Sequence, residues 1–271
     1  MKLFFEIFGL KIPAYGLFAA IGLIGILHFL KTQKIYKKLD FDTAMSGLIY
    51  AVVPGAVLAK VLYWITDPRS FTILFDSKFN FIDRLRYSFS GGMVYLGGFI
   101  GAGIGVWYFI KKYKLEPLKS LDVFAISMPI LQMFGRMGCF FAGCCYGRPT
   151  DSFLGVVFPQ GGLAPAGIKL FPTQLFGALG NFLIVLVLLI YSSRSKKPGS
   201  TLGLYLIMYS IGRFIIEFFR GDEIRGIYFG LSTSQWISIP LLILGITLMV
   251  YSYKKYNDKK DKIDEENFSN R

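Results

Sequence analysis

Two arginine-bearing stretches hold the residues of this chain that could do chemistry. The first, from Met133 to Thr150 (MFGRMGCFFAGCCYGRPT), carries Arg136, Arg148, the glycines Gly135, Gly138, Gly143 and Gly147, and all three cysteines of the protein. A guanidinium at the end of a long apolar run costs free energy unless something anionic meets it, and glycine lets the backbone approach such a partner closely. The planar fork of arginine suits a phosphodiester, so an anionic lipid headgroup is the natural candidate. The alternative reading of Arg136 is a side chain snorkelling from a helix end. Charge position alone does not separate the two; the surrounding glycines favour the first.

The second stretch, LIMYSIGRFIIEFFRGDE, places Tyr209, Arg213, Glu217 and Arg220 at intervals of four, four and three. On a helix these share one face. Arg213 and Glu217 can form an i,i+4 pair, which by itself would account for both. Four polar groups on one stripe of an apolar helix nevertheless require a polar cavity or partners on a neighbouring helix. Facing Arg136, the stripe would make a cationic pocket with one acidic orienting group. Arg220, beside Asp222 and Glu223, can also be read as ordinary surface.

The cysteines, Cys139-x4-Cys144-Cys145, are too close together for a disulfide framework and admit at most one bridge. They lack a tetrahedral ligand set, and the single histidine, His28, is expected at the other end of the first span, so neither a metal nor a cofactor is expected. A thiol nucleophile would need a base or cation to lower its pKa from about 8.5. Arg136 could serve Cys139 in that way; the plainer reading is a small apolar filler.

The elements that position these residues are membrane spans. The chain has 271 residues, is 54% hydrophobic and has a mean hydropathy of +0.51. Its apolar runs repeat at lengths of about 18 residues or more, which a soluble core does not need. The formal charge of +13 lies in lysines between those runs rather than on one face, which excludes a nucleic-acid reading. Seven spans are expected, at about 13–30, 44–65, 92–110, 121–141, 173–191, 201–219 and 234–253, forming an all-α membrane protein. The first reads as a retained span rather than a cleaved signal peptide. Lysine and arginine crowd alternate loops: Lys31, Lys34, Lys37 and Lys38; Lys111, Lys112, Lys114 and Lys119; Arg194, Lys196 and Lys197; Lys254, Lys255, Lys259 and Lys260. The positive-inside rule then puts the N-terminus outside and the C-terminus in the cytoplasm. Residues 1–253 form a single membrane domain, and 254–271 a solvated, mobile charged tail. The segment 66–91, with FTILF and FNFI between charges, reads either as an interfacial arm or as a packed loop.

Three further positions stand out. Gly97 and Gly98, in SGGMVYLGGFIGAGIG, suit close helix packing or room for a lipid headgroup or acyl chain. Tyr15 is an interfacial aromatic whose hydroxyl could reach the same cavity. Lys60, well inside the second span, needs to snorkel or to meet an anionic partner.

In this order the motifs resemble those of one family, the bacterial prolipoprotein diacylglyceryl transferases. The likeness runs from Tyr15–Gly16 through GGM and GGFIG within Gly91–Gly101, GRMGCFFAGCCYGRPT at Gly135–Thr150, GVVFP at Gly155–Pro159 and PTQLF at Pro172–Phe176 to GLYLIMYSIGRFIIEFFR at Gly203–Arg220 and QWISIP. The resemblance implies a multi-pass enzyme of the bacterial inner membrane. Such an enzyme moves the diacylglyceryl group of phosphatidylglycerol to the lipobox cysteine thiol of a prolipoprotein and releases glycerol 1-phosphate. Its partners are phosphatidylglycerol, prolipoprotein signal peptides and membrane lipids. By the same resemblance Arg136 and Arg213 hold the phosphate, while Tyr15, Gly147, Tyr209 and Glu217 shape or orient the site. Gly97, Gly98, Cys139, Gly143, Arg148 and Arg220 complete the expected substrate-binding set. The chain departs from the family pattern at Leu96 and Phe171, where histidines are usual, at Cys139 for asparagine, and at Cys144 for glutamate. The proton acceptor is thereby left open among Tyr95, Glu217, a thiol, or none.

Overall fold

A computed structural model describes residues 4–7, 10–32, 41–76, 78–90, 94–195, 197–221 and 226–269. Lys34, Lys37, Lys38, Gly91–Met93, Lys196, Asp222 and Glu223 lie outside the described residues, as does the side chain of Tyr95. The elements are β1 (Phe4–Ile7), β2 (Leu10–Pro13), α1 (Ala14–Thr32), α2 (Phe41–Thr66), α3 (Pro68–Thr72), a 3-10 turn (Ile73–Phe75), α4 (Phe81–Ser90), α5 (Tyr95–Lys112) and α6 (Pro117–Ala142). They continue with β3 (Val156–Val157), β4 (Lys169–Leu170), α7 (Thr173–Arg194), α8 (Ser200–Glu217), β5 (Ile227–Tyr228), β6 (Leu231–Ser232) and α9 (Thr233–Ser269). Among the described residues the strands form three short antiparallel ribbons, β1–β2, β3–β4 and β5–β6, and Leu170 of β4 also bridges Pro149.

Every expected span falls on a helix, and five are long and apolar enough to cross a membrane: α1, α2 from Met45, α6, α7 and α9 to Asp258. α5 and α8 are 18 residues each. The first is diluted by glycines and the second carries Arg213 and Glu217. The expected end of the sixth span at 219 is too late: α8 stops at Glu217 because Phe218, Phe219 and Arg220 turn tightly, with amides donating three residues back to Ile215, Ile216 and Glu217. The segment expected as a charged tail continues the backbone of α9 as helix to Ser269.

The chain forms two compact units, residues 34–120 and residues 1–33 with 121–271. In the first, Gly97, Gly101 and Gly105 line α5 at four-residue spacing against the α2 backbone. A Cβ on Gly97 would lie 2.5 Å from the Leu58 carbonyl oxygen, and those on Gly101 and Gly105 would strike the Pro54 and Tyr50 carbonyls. Gly97 is thus taken up by packing, the commoner use of small residues between membrane helices. A Cβ on Gly98 would make only ordinary contact, 3.7 Å from Ala59 Cβ. Lys60 is buried, and its ammonium stands 4.7 Å from the Tyr63 ring and 5.9 Å from that of Trp64, so aromatic faces supply the expected negative partner. The segment after α2 folds into α3, the 3-10 turn and α4, whose Phe75, Phe81 and Ile82 side chains are largely exposed.

In the second unit, α8 is fixed at its N-terminal end. The Asp122 carboxylate of α6 accepts hydrogen bonds from the Gly199 amide (2.7 Å) and the Leu202 amide (2.8 Å), capping the α8 N-terminus from a neighbouring helix. Further along, Gly203 and Gly245 bring α8 and α9 together. A Cβ on either would stand 2.9 Å from the other's carbonyl oxygen.

Candidate functional site

Apart from Tyr95, which lies in the first unit, the arginines, cysteines and tyrosines proposed for chemistry belong to the second unit, and the end of α6 organises them. That helix ends in a motif requiring a left-handed residue: Gly143 has φ +71°, its amide donates to Phe140 O (3.2 Å), and the Cys144 amide donates to Cys139 O (3.1 Å). The chain therefore doubles back, and the Cys144 thiol comes to 3.7 Å from the Cys139 carbonyl. Cys145 follows with φ +59°, an uncommon conformation for a residue with a side chain. Two buried side chains at the start of α7 hold it there. Thr173 Oγ1 donates to Cys145 O (2.7 Å) and Gln174 Nε2 to Cys144 O (2.8 Å).

As a result the sulfur atoms of Cys139, Cys144 and Cys145 all lie within 4.8 Å of one another. The three are free and half-buried. Hydrogen bonds from Cys139 and Cys144 hold the Cys145 thiol below its ordinary pKa against the opposing effect of burial, and Arg220 and Arg136 act in the same direction. Its two neighbours and burial push the Cys144 thiol up. Spacing alone concealed this cluster, because the turn at Gly143 creates it.

The residues after the cysteines are locked by backbone. Gly147 N donates to Phe171 O (2.9 Å), Arg148 N to Phe219 O (3.0 Å), and Gly221 N to Tyr146 O (3.2 Å). A Cβ on Gly147 would sit 2.5 Å from Phe171 O and 2.7 Å from Phe219 O, so no side chain fits. Arg148 is exposed, and its Nε donates to Arg220 O (3.2 Å). Arg220 itself is buried, which removes the surface alternative; it is bridged to Gly147 just beyond α8 rather than standing on that helix's stripe.

Tyr209, Arg213 and Glu217 do lie on α8 as the spacing requires. Arg213 Nη1 is 3.0 Å from Glu217 Oε2, and Nη2 donates to Ser234 Oγ of α9 at 2.6 Å. Tyr209 stacks on Tyr205. Arg136 of α6 passes over α7 at Gly177, where a Cβ would lie 3.3–3.4 Å from its Cδ, Cγ and Nε. Arg213 is in electrostatic contact with Glu217, Arg136, Arg220 and Tyr209. Tyr15, at the first turn of α1, is in electrostatic contact with the three cysteines and Arg136, and its ring and Cα lie against Gly138, where a Cβ would be 3.1 Å away.

Arg136, Arg220 and Glu217 are thus all within electrostatic reach of Arg213, leaving a net positive neighbourhood suited to a phosphodiester. Gly177, Thr173, Gln174 and Ser234 were missed from the sequence. Only the PTQLF motif hinted at two of them. At the position of the usual histidine, Phe171 is stacked between Phe176 (4.7 Å) and Phe219 (5.2 Å).

The chain is similar over nearly its whole length to proteins of one family. A family model described as prolipoprotein diacylglyceryl transferase matches residues 2–251. The phosphatidylglycerol–prolipoprotein diacylglyceryl transferase 2 of Clostridium perfringens is 41% identical, the match covering 94% of this chain and 96% of that protein. The phosphatidylglycerol–prolipoprotein diacylglyceryl transferases of Clostridium tetani and Finegoldia magna are 38% and 32% identical, over 89% and 95% of this chain and 94% and 98% of theirs.

Proposed function

We propose, since the chain belongs to the prolipoprotein diacylglyceryl transferase family, that its arginine site carries out the transfer of that family's name. The enzyme transfers the diacylglyceryl group of phosphatidylglycerol to the thiol of a prolipoprotein's lipobox cysteine. The thiolate sulfur attacks the glyceryl carbon that bears the phosphate. A carbon–sulfur bond forms, the carbon–oxygen bond breaks, and the electron pair leaves on the phosphate oxygen as glycerol 1-phosphate.

The observation that carries this reading is the convergence of Arg136 and Arg213, from different helices, with Arg220 beside them. Charge grows on the phosphate as the bond breaks, and prepositioned guanidiniums stabilise that charge more than the ground state. Glu217 holds the Arg213 fork at 3.0 Å and so orients it. Tyr209 and Tyr15 flank the cations, and Gly147 keeps the loop pressed on α7 and α8. The field of the arginines favours the substrate thiolate, whose unperturbed pKa is about 8.5, whether Tyr95, Glu217, a thiol or none of them takes the proton.

The reading extends to placement. Seven spans cross the bacterial cytoplasmic membrane, with the N-terminus outside, the charged end of α9 in the cytoplasm and the site towards the outer leaflet. The signal peptide of the precursor reaches it within the membrane. Purified protein given phosphatidylglycerol and a lipobox peptide is expected to release glycerol phosphate, and Arg136→Ala to abolish that release. A folded wild-type protein that releases none would end the proposal.

A further inference from the structure

The three thiols form a compact grouping beside the arginines, and their geometry suits a ligand of its own. We infer that Cys139, Cys144 and Cys145 constitute a binding site for one soft, three-coordinate metal ion of the Cu(I) class. Three sulfurs around one ion at a metal–thiolate distance of about 2.3 Å stand about 4.0 Å apart in a plane. The sulfurs here are already within 4.8 Å of one another, so closing on an ion takes less than about 1 Å of movement for each.

The ligand count selects the class. No described histidine, aspartate or glutamate joins the group, so a tetrahedral ion that wants four protein ligands is left incomplete. Thiolates alone, in threes, suit a soft monovalent ion instead. Binding releases three protons from the thiols and forms three metal–sulfur bonds, with no change of oxidation state when the metal is supplied as Cu(I). The product carries two negative charges, and Arg136 and Arg220 are the cations that already act on Cys145. The frame is preformed: the left-handed turn at Gly143 sets Cys139 beside Cys144, and Thr173 and Gln174 pin the carbonyls of Cys145 and Cys144.

The test uses the full chain in detergent, reduced with a phosphine rather than a thiol and titrated with Cu(I) against a chromogenic Cu(I) chelator. One Cu(I) per chain is expected, with three sulfur neighbours at about 2.3 Å by X-ray absorption. Cys139→Ser, Cys144→Ser and Cys145→Ser should each weaken binding by more than about 100-fold, beyond the effect of losing a supporting group. Should a serine variant fail to fold, the sulfur count in the wild-type protein decides alone. A reduced wild-type protein that cannot compete with the chelator would overturn the assignment. So would a serine variant of unchanged affinity, a two-sulfur shell, or tight Zn(II) binding through four protein ligands.

Discussion

Two glycine-rich stretches do different work in this protein. On α5, Gly97, Gly101 and Gly105 recur every four residues and face one partner helix, whose carbonyls fill the space where side chains would be. Around the end of α6, Gly138, Gly143 and Gly147 follow no helical period, and each serves separately. Gly138 admits Tyr15, Gly143 takes a left-handed turn, and Gly147 is threaded between the carbonyls of Phe171 and Phe219. Periodic glycine brings helices together, whereas aperiodic glycine interleaved with arginine and cysteine shapes a site. Gly103 and Gly135 provide internal controls, since a Cβ on either meets nothing within 4 Å.

The contrast predicts which substitutions separate activity from stability. Arg136→Ala should have the largest effect, lowering the transfer rate by about 10²–10³ while leaving thermal unfolding in detergent nearly unchanged. A comparable fall in unfolding temperature would mean that Arg136 is structural. Gly105→Ala should do the reverse. Driving a methyl group into the Tyr50 carbonyl costs about 1–3 kcal/mol of stability, and transfer per folded molecule should hold. Unfolding and turnover measured on the same preparation distinguish the two.

Thr173→Val lies between these extremes. It removes the hydroxyl that pins Cys145 and should cost about 1 kcal/mol, with a several-fold loss of Cu(I) affinity as the thiols spread. Unchanged metal affinity would show that the turn alone sets the sulfur positions. At the small end, Gly135→Ala should be neutral or stabilise α6 by up to about 1 kcal/mol, since alanine fits a helix better than glycine where space allows. A large loss of stability there would break the distinction between open and filled glycines.

Much of the scaffold was readable from local order. Long apolar runs placed the long helices to within a few residues, except that α9 runs on past the expected end to Ser269, and the four-residue period put Tyr209, Arg213 and Glu217 on one face of α8. The same period misplaced Arg220, because it continued a helix that the backbone leaves at Glu217. The cap that Asp122 gives α8, the passage of Arg136 over Gly177, and the grip of Thr173 and Gln174 on the cysteine turn left no trace in any periodicity.

The sequence by itself determined that the chain is a series of apolar helices with two arginine-bearing segments, since burial in lipid and helical repeat act over neighbouring residues. Only the tertiary structure decided that Arg136 and Arg220 come within electrostatic reach of Arg213, and that three sulfurs close into a triangle. Those facts depend on the direction in which one turn sends the chain, and on side chains far apart in sequence that hold it there.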